Sequence, residues 1–113
     1  MKGYNIHGLK INTKQNFALF KSREKYINPD VSVNFSKVNR PVCSDKNTIN
    51  KTFTCYNKDF YYQEVPTLVK YLITGKSKVT IEGINKSDNN VINLLFLECV
   101  LPVLLIKNGV FAL

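Results

Sequence analysis

The chain has 113 residues, 44% of them hydrophobic, and its 16 basic and 8 acidic side chains give a net charge of +8. This length fits one domain, residues 1–113, with room for a modest core and not a large one. Fourteen of the basic residues are lysines scattered singly from Lys2 to Lys107, which speaks for a solvated surface and against a nucleic-acid footprint of clustered Arg and Lys with stacking aromatics.

In chain order, Tyr4 to Asn12 (YNIHGLKIN) alternates as a strand until its phase shifts at Gly8, where a β-bulge is expected. His7 falls on the polar phase, where an exposed or edge histidine is expected and not a catalytic base. Residues 13–28 read as a polar connection anchored by Phe17, Leu19 and Phe20. Val31, Val33 and Phe35 then alternate cleanly as a second strand after Pro29-Asp30. Residues 36–51 are rich in Asn, Ser, Asp and Lys and contain Pro41, so a flexible loop is expected, the most mobile part of the chain.

TFTCY at 52–56 and FYYQEV at 60–65 predict a hairpin turning through Asn57-Lys58-Asp59. LVKYLI at 68–73 and KVTIEGI at 78–84 predict another, turning through Thr74-Gly75-Lys76-Ser77. Phe60, Tyr61, Tyr62 and Tyr71 read as one cross-strand aromatic group. Gly75-Lys76-Ser77 is not a phosphate loop. The earlier glycine that such a loop requires is replaced by Lys70, and a strand follows instead of a helix.

Val91 to Ile106 (VINLLFLECVLPVLLI) holds thirteen apolar residues in sixteen, with one charge, Glu98. Apolar side chains occupy every side of a 3.6-residue period, so the expectation is a helix covered on more than one side. Ser87 to Asn90 supply N-cap candidates, Lys107 suits the C-terminal end, and Gly109 is a left-handed stop. Pro102 predicts a kink or break. The run is shorter than the ~20 apolar residues of a membrane span and is interrupted, so no membrane partner is expected. Glu98 must reach the helix edge or a partner, because a buried lone carboxylate is costly. Val110 to Leu113 (VFAL) reads as the opening of a further buried strand.

The three cysteines, Cys43, Cys55 and Cys99, show no CxxC or His pairing, so no metal site is expected and the thiols read as free. Free thiols and the lack of a secretory leader suit a cytoplasmic location. No catalytic constellation and no cofactor motif is present in the sequence. The expected fold is α+β: a mostly antiparallel sheet of about six strands packed on one apolar C-terminal helix.

The order of these stretches resembles the N-terminal region of HPr serine kinase/phosphorylase-related proteins of bacteria. YNIHGLKINT resembles the family's opening strand, Tyr-x-x-x-Gly-Leu-x-Ile followed by Ser or Thr. PDVSVNF resembles its second strand, and the stretch from FYYQEV through VFAL resembles a strand pair, an apolar helix and a Gly-hydrophobic-Leu exit. The family continues through a His-Ala-Ser strand and a phosphate loop into a kinase core, and this sequence stops short of both. The resemblance therefore implies a non-catalytic N-terminal domain, as fragment, split subunit or remnant, and places no family catalytic residue on this chain. The expected partner is a protein, or a second copy, meeting the apolar helix and its exit through Leu95, Cys99, Val103, Ile106, Val110, Phe111 and Leu113. The alternative is a stand-alone basic module that binds an acidic protein or peptide.

Overall fold

The computed structural model describes residues 1–43, 51–84 and 88–110 in full, and 46–49 by backbone alone. The architecture is two-layered and α+β, with one mixed sheet under one helix. The strands are β1 (Lys2–Ile6), β2 (Leu9–Thr13), β3 (Arg23–Glu24), β4 (Val31–Phe35), β5 (Lys46–Ile49), β6 (Thr52–Tyr56), β7 (Phe60–Val65), β8 (Val69–Thr74) and β9 (Lys78–Gly83). They lie in the order β3-β1-β2-β4-β9-β8-β7-β6-β5. Among the described residues the sheet thus has nine strands where about six were expected, and it is mixed, because β4 runs parallel to both β2 and β9.

The extra strands have local causes. The phase shift at Gly8 is a chain reversal and not a bulge. His7 and Gly8 both take positive φ, 53° and 85°, as a two-residue type I′ hairpin turn requires, and Ile6 pairs with Leu9 across it. β3 and β5 are short edge strands whose existence depends on the strand beside them. The two hairpins read from the sequence merge, because β7 also pairs with β8, and β5 to β9 form one antiparallel meander. That meander returns β9 to the sheet centre beside β4.

To reach β5 from β4, the chain must cross the sheet. Residues 36–43 do so, on the face away from the helix, and they are fastened there. Val38 is buried with Cys55 and Tyr62, against Phe53, Phe60 and Leu72. Its N–H donates to Glu82 Oε1 at 2.8 Å. Arg40 Nη2 contacts both carboxylate oxygens of Glu64 at 3.1 Å, and its guanidinium lies 4.2 Å from the Phe53 ring centre. Cys43 is joined to Cys55, with Cα atoms 6.0 Å apart, within disulfide reach. Of the stretch 36–51, where a flexible loop was expected, residues 36–43 form this strap and Lys46–Ile49 form β5, and two of the three cysteines expected to be free are paired.

The helix, α1, runs continuously over Asn89–Lys107. Asp88 caps it, accepting from the Asn90 N–H at 2.7 Å, and Gly109 ends it at φ 72°. The Asn108 side chain donates to Leu104 O and to Lys76 O, tying the helix end to the β8–β9 turn. In place of a break at Pro102, residues Phe96–Val100 form a π-helical turn, with Leu101 N–H donating to Phe96 O. The wider turn lets the ladder pass the residue that has no N–H to give.

One face of α1 enters the core through Ile92, Phe96, Val100, Leu101, Leu104 and Leu105. These meet Tyr4, Ile6, Ile11, Val33, Tyr71, Ile81 and their neighbours on the sheet. Each fully buried side chain of this kind contributes about 1.5–3 kcal/mol, which makes α1 the larger part of the second layer's stability. The loop after β2 is fixed to both layers: Tyr4 OH of β1 accepts from the Phe17 N–H at 3.1 Å, and the Phe17 ring stacks on Phe96 of α1 at 5.3 Å.

Candidate functional site

One helix lies on one sheet, and nothing among the described residues covers the second side of α1. Among the described residues, Leu94 is 54% exposed and Ile106 52%, and Val91 is exposed too. Glu98 and Pro102 lie on the same outer strip. Spacings of three and four residues align Val91, Leu94, Glu98, Pro102 and Ile106 along one ridge. It is apolar except for the single carboxylate. Within the described chain, the sheet covers one side of α1, and the outer side faces solvent.

A shallow groove of about 250 Å³ extends the ridge. It lies between Leu94 and Leu97 of the helix and Phe17, Ala18 and Leu19 of the loop after β2. Leu19 is almost fully exposed. A larger cleft of about 460 Å³ opens at the N-terminal end of α1. Lys14, Gln15, Asn16, Asn89, Asn90 and Asn93 provide its polar wall.

The predicted interface residues divide. Leu95, Cys99 and Val103 form the flank of α1 and are half-buried against the main core. Ile106 and Val110 are exposed. Phe111 and Leu113, and with them the strand expected at 110–113, lie outside the described residues apart from Val110 itself. Val91, Leu94 and Pro102 escaped the sequence reading. Glu98 was the usable signal, since the one charge in an apolar helix marks its wet side, and these three lie within one or two turns of it.

Beside the helix flank, the sheet carries a run of parallel rings. Tyr56 stacks on Tyr61 at 5.9 Å and Tyr61 on Tyr71 at 6.5 Å, from the exposed Tyr56 to the buried Tyr71. The aromatic group read from the sequence is therefore two groups on opposite sheet faces: Tyr61 and Tyr71 toward the helix, Phe60 and Tyr62 under the strap. The Tyr71 hydroxyl is buried beside the Cys99 thiol. Burial, and then the neighbouring Cys99, raise its pKa far above the ordinary tyrosine value. Burial also pushes the Cys99 thiol up, so it is held protonated, a poor state for a nucleophile or a metal ligand.

Among the described residues, no group of three His, Cys, Asp or Glu side chains converges to hold a metal ion. By length and composition alone, α1 is long and apolar enough to cross a membrane; here its inner face is packed on the sheet. What the surface offers chemically is apolar contact area around one carboxylate. No family model, no curated protein and no solved structure matches the chain.

Proposed function

We propose that the chain is a non-catalytic docking domain, the N-terminal part of an HPr serine kinase-like protein. Its helix packs on an ATP-binding kinase core or on a protein partner. The observation that supports this reading is the uncovered apolar ridge of α1, with Leu94 and Ile106 each more than half exposed. A ridge of this kind, continued by Leu97 and Leu19, is the kind of surface that marks protein contact. A covering layer would make a three-layer arrangement in which the all-round apolar pattern of Val91 to Ile106 has a purpose on both sides.

The test is co-expression with a catalytic core of the HPr kinase type. A one-to-one complex is expected, lost in the Leu94→Lys, Ile106→Lys double variant, whose exposed positions leave folding intact. Failure to form a complex, or a complex indifferent to both charges, would overturn the reading. Binding to an acidic partner that weakens with salt yet ignores the helix variants would favour the basic-module reading instead.

A further inference from the structure

We infer that residues 36–43 form a redox-gated cover: the Cys43–Cys55 disulfide holds them over an aromatic patch on the outer sheet face, and thiol reduction releases them. This inference is independent of the docking role assigned to the helix. The disulfide lies on the opposite face of the sheet from α1.

The strap is a crossing segment with no regular structure of its own. It is held at separate points: the Ser36 N–H bond to Ile81 O, Val38 buried at 3% exposure, the Val38 N–H bond to Glu82, Arg40 paired with Glu64 and lying over the Phe53 ring, and the disulfide. The noncovalent points are weak individually. Arg40 is 53% exposed, so its ion pair is strongly screened by water. One valine, the Ser36 and Val38 N–H bonds and the half-exposed Arg40 must otherwise offset the ordering of eight residues. The covalent link is therefore the member of the set that decides between closed and open. It is also the member that chemistry can remove without altering the sequence.

Beneath the strap lie Tyr62, Phe53, Phe60 and Leu72. Their cover is local. The main core and α1 form a separate cluster on the other side of the sheet. Opening the strap therefore uncovers an aromatic surface and leaves the two-layer body intact.

The exchange balances with an external thiol as reductant. Cys55 is wholly buried and Cys43 half-buried, so the attacking thiolate reaches Cys43 Sγ. A mixed disulfide forms there as the Cys43–Cys55 bond breaks, and Cys55 leaves as a thiolate and takes up a proton. A second equivalent of thiol resolves the mixed disulfide, giving two protein thiols and one external disulfide. In a reducing compartment such a pair is expected to be transient and sensing instead of permanently structural.

The experiment begins with thiol counting in protein purified without reductant. Alkylation after denaturation is expected to label Cys99 alone, and all three cysteines after reduction. Hydrogen exchange then compares the oxidised protein, the thiol-reduced protein and Cys43→Ser. The Val38 amide is expected to exchange at least about tenfold faster in the latter two, as for a local opening, with the amides of α1 and β9 unchanged. Three labelled cysteines before reduction would overturn the inference. So would unchanged Val38 protection after reduction. Loss of α1 protection together with Val38 would make the disulfide a staple of the whole fold, and would also refute the gate.

Discussion

Gln15 and Asn93, 78 residues apart in the chain, are joined by an amide–amide hydrogen bond of 2.9 Å from Gln15 Nε2 to Asn93 Oδ1. Gln15 is buried, and its own oxygen meets Thr13 Oγ1. Asn93 Nδ2 donates in turn to Asn16 O at 3.0 Å. The loop after β2 is thus fastened to the first turn of α1 by side chains, and the groove beneath Leu94 takes its shape from that attachment.

Asn93→Ala removes both bonds and leaves the buried Gln15 amide short of a partner. The expected cost is about 1–3 kcal/mol, the penalty for an unsatisfied buried polar group. Urea unfolding would measure it as a lower midpoint at unchanged slope. A loss no larger than that of an exposed substitution would show that the attachment is dispensable.

The two sides of α1 should respond oppositely to truncation. Leu104 is fully buried, so Leu104→Ala is expected to lower stability by about 2–5 kcal/mol. Ile106→Ala, two residues on but facing solvent, is expected to fall within about 0.5 kcal/mol of the parent. Thermal unfolding of the two variants side by side checks this. Equal losses would mean that Ile106 is covered in solution, as by a second copy.

Gly3 faces β3 with no room for a side chain. A Cβ there would lie 2.7 Å from Glu24 O and 3.1 Å from the Tyr26 ring. The near atom is backbone, so β3 itself must move. Gly3→Ala is expected to free the β3 edge and expose Tyr26. Amide exchange would read this as lost protection at residues 23–26 while β7 to β9 remain slow.

The strap's polar contacts set opposite ends of a pH profile. The Tyr62 hydroxyl bond first, then Arg40, lowers the Glu64 carboxyl below its ordinary 4.5. A depressed carboxyl stabilises the fold above its unfolded value, and that contribution fades as pH falls through the folded one. Burial, then the Glu64 bond, pushes the Tyr62 phenol up to about 12. Its contribution is whole below an unfolded value of about 10 and is lost as pH rises from there toward 12. Glu64→Gln should flatten the acid side of a stability–pH curve. Tyr62→Phe should soften the alkaline side without abolishing it, because Tyr61 and Tyr71 are raised too. Curves that superimpose on the parent's would contradict both assignments.

Local chemistry was legible in the residues alone. Alternation placed β4, because a strand with one buried face repeats every second position, and aromatic and β-branched runs placed β6, β7, β8 and β9 to within a residue or so. Asp88 and Gly109 bounded the helix, because caps act on backbone groups next to them. Phe60 and Tyr62 could not be separated from Tyr61 by type, although parity along the strand already put them on the other face.

The remainder was decided by tertiary structure. β4 joins two neighbours in parallel because the chain crosses to the far edge and meanders back, and strand order leaves no periodicity in a sequence. β3 and β5 have too few residues to bury a face and form only against a partner strand. Residues 36–43 look polar and loose one by one, and are fastened only because the crossing brings Cys43 to Cys55 and Arg40 to Glu64. Above all, a helix apolar on every side offers only Glu98 as a mark of which side the sheet will leave open. The packing of Phe96, Val100 and Leu104 on the sheet settled that, and left Leu94 and Ile106 in water.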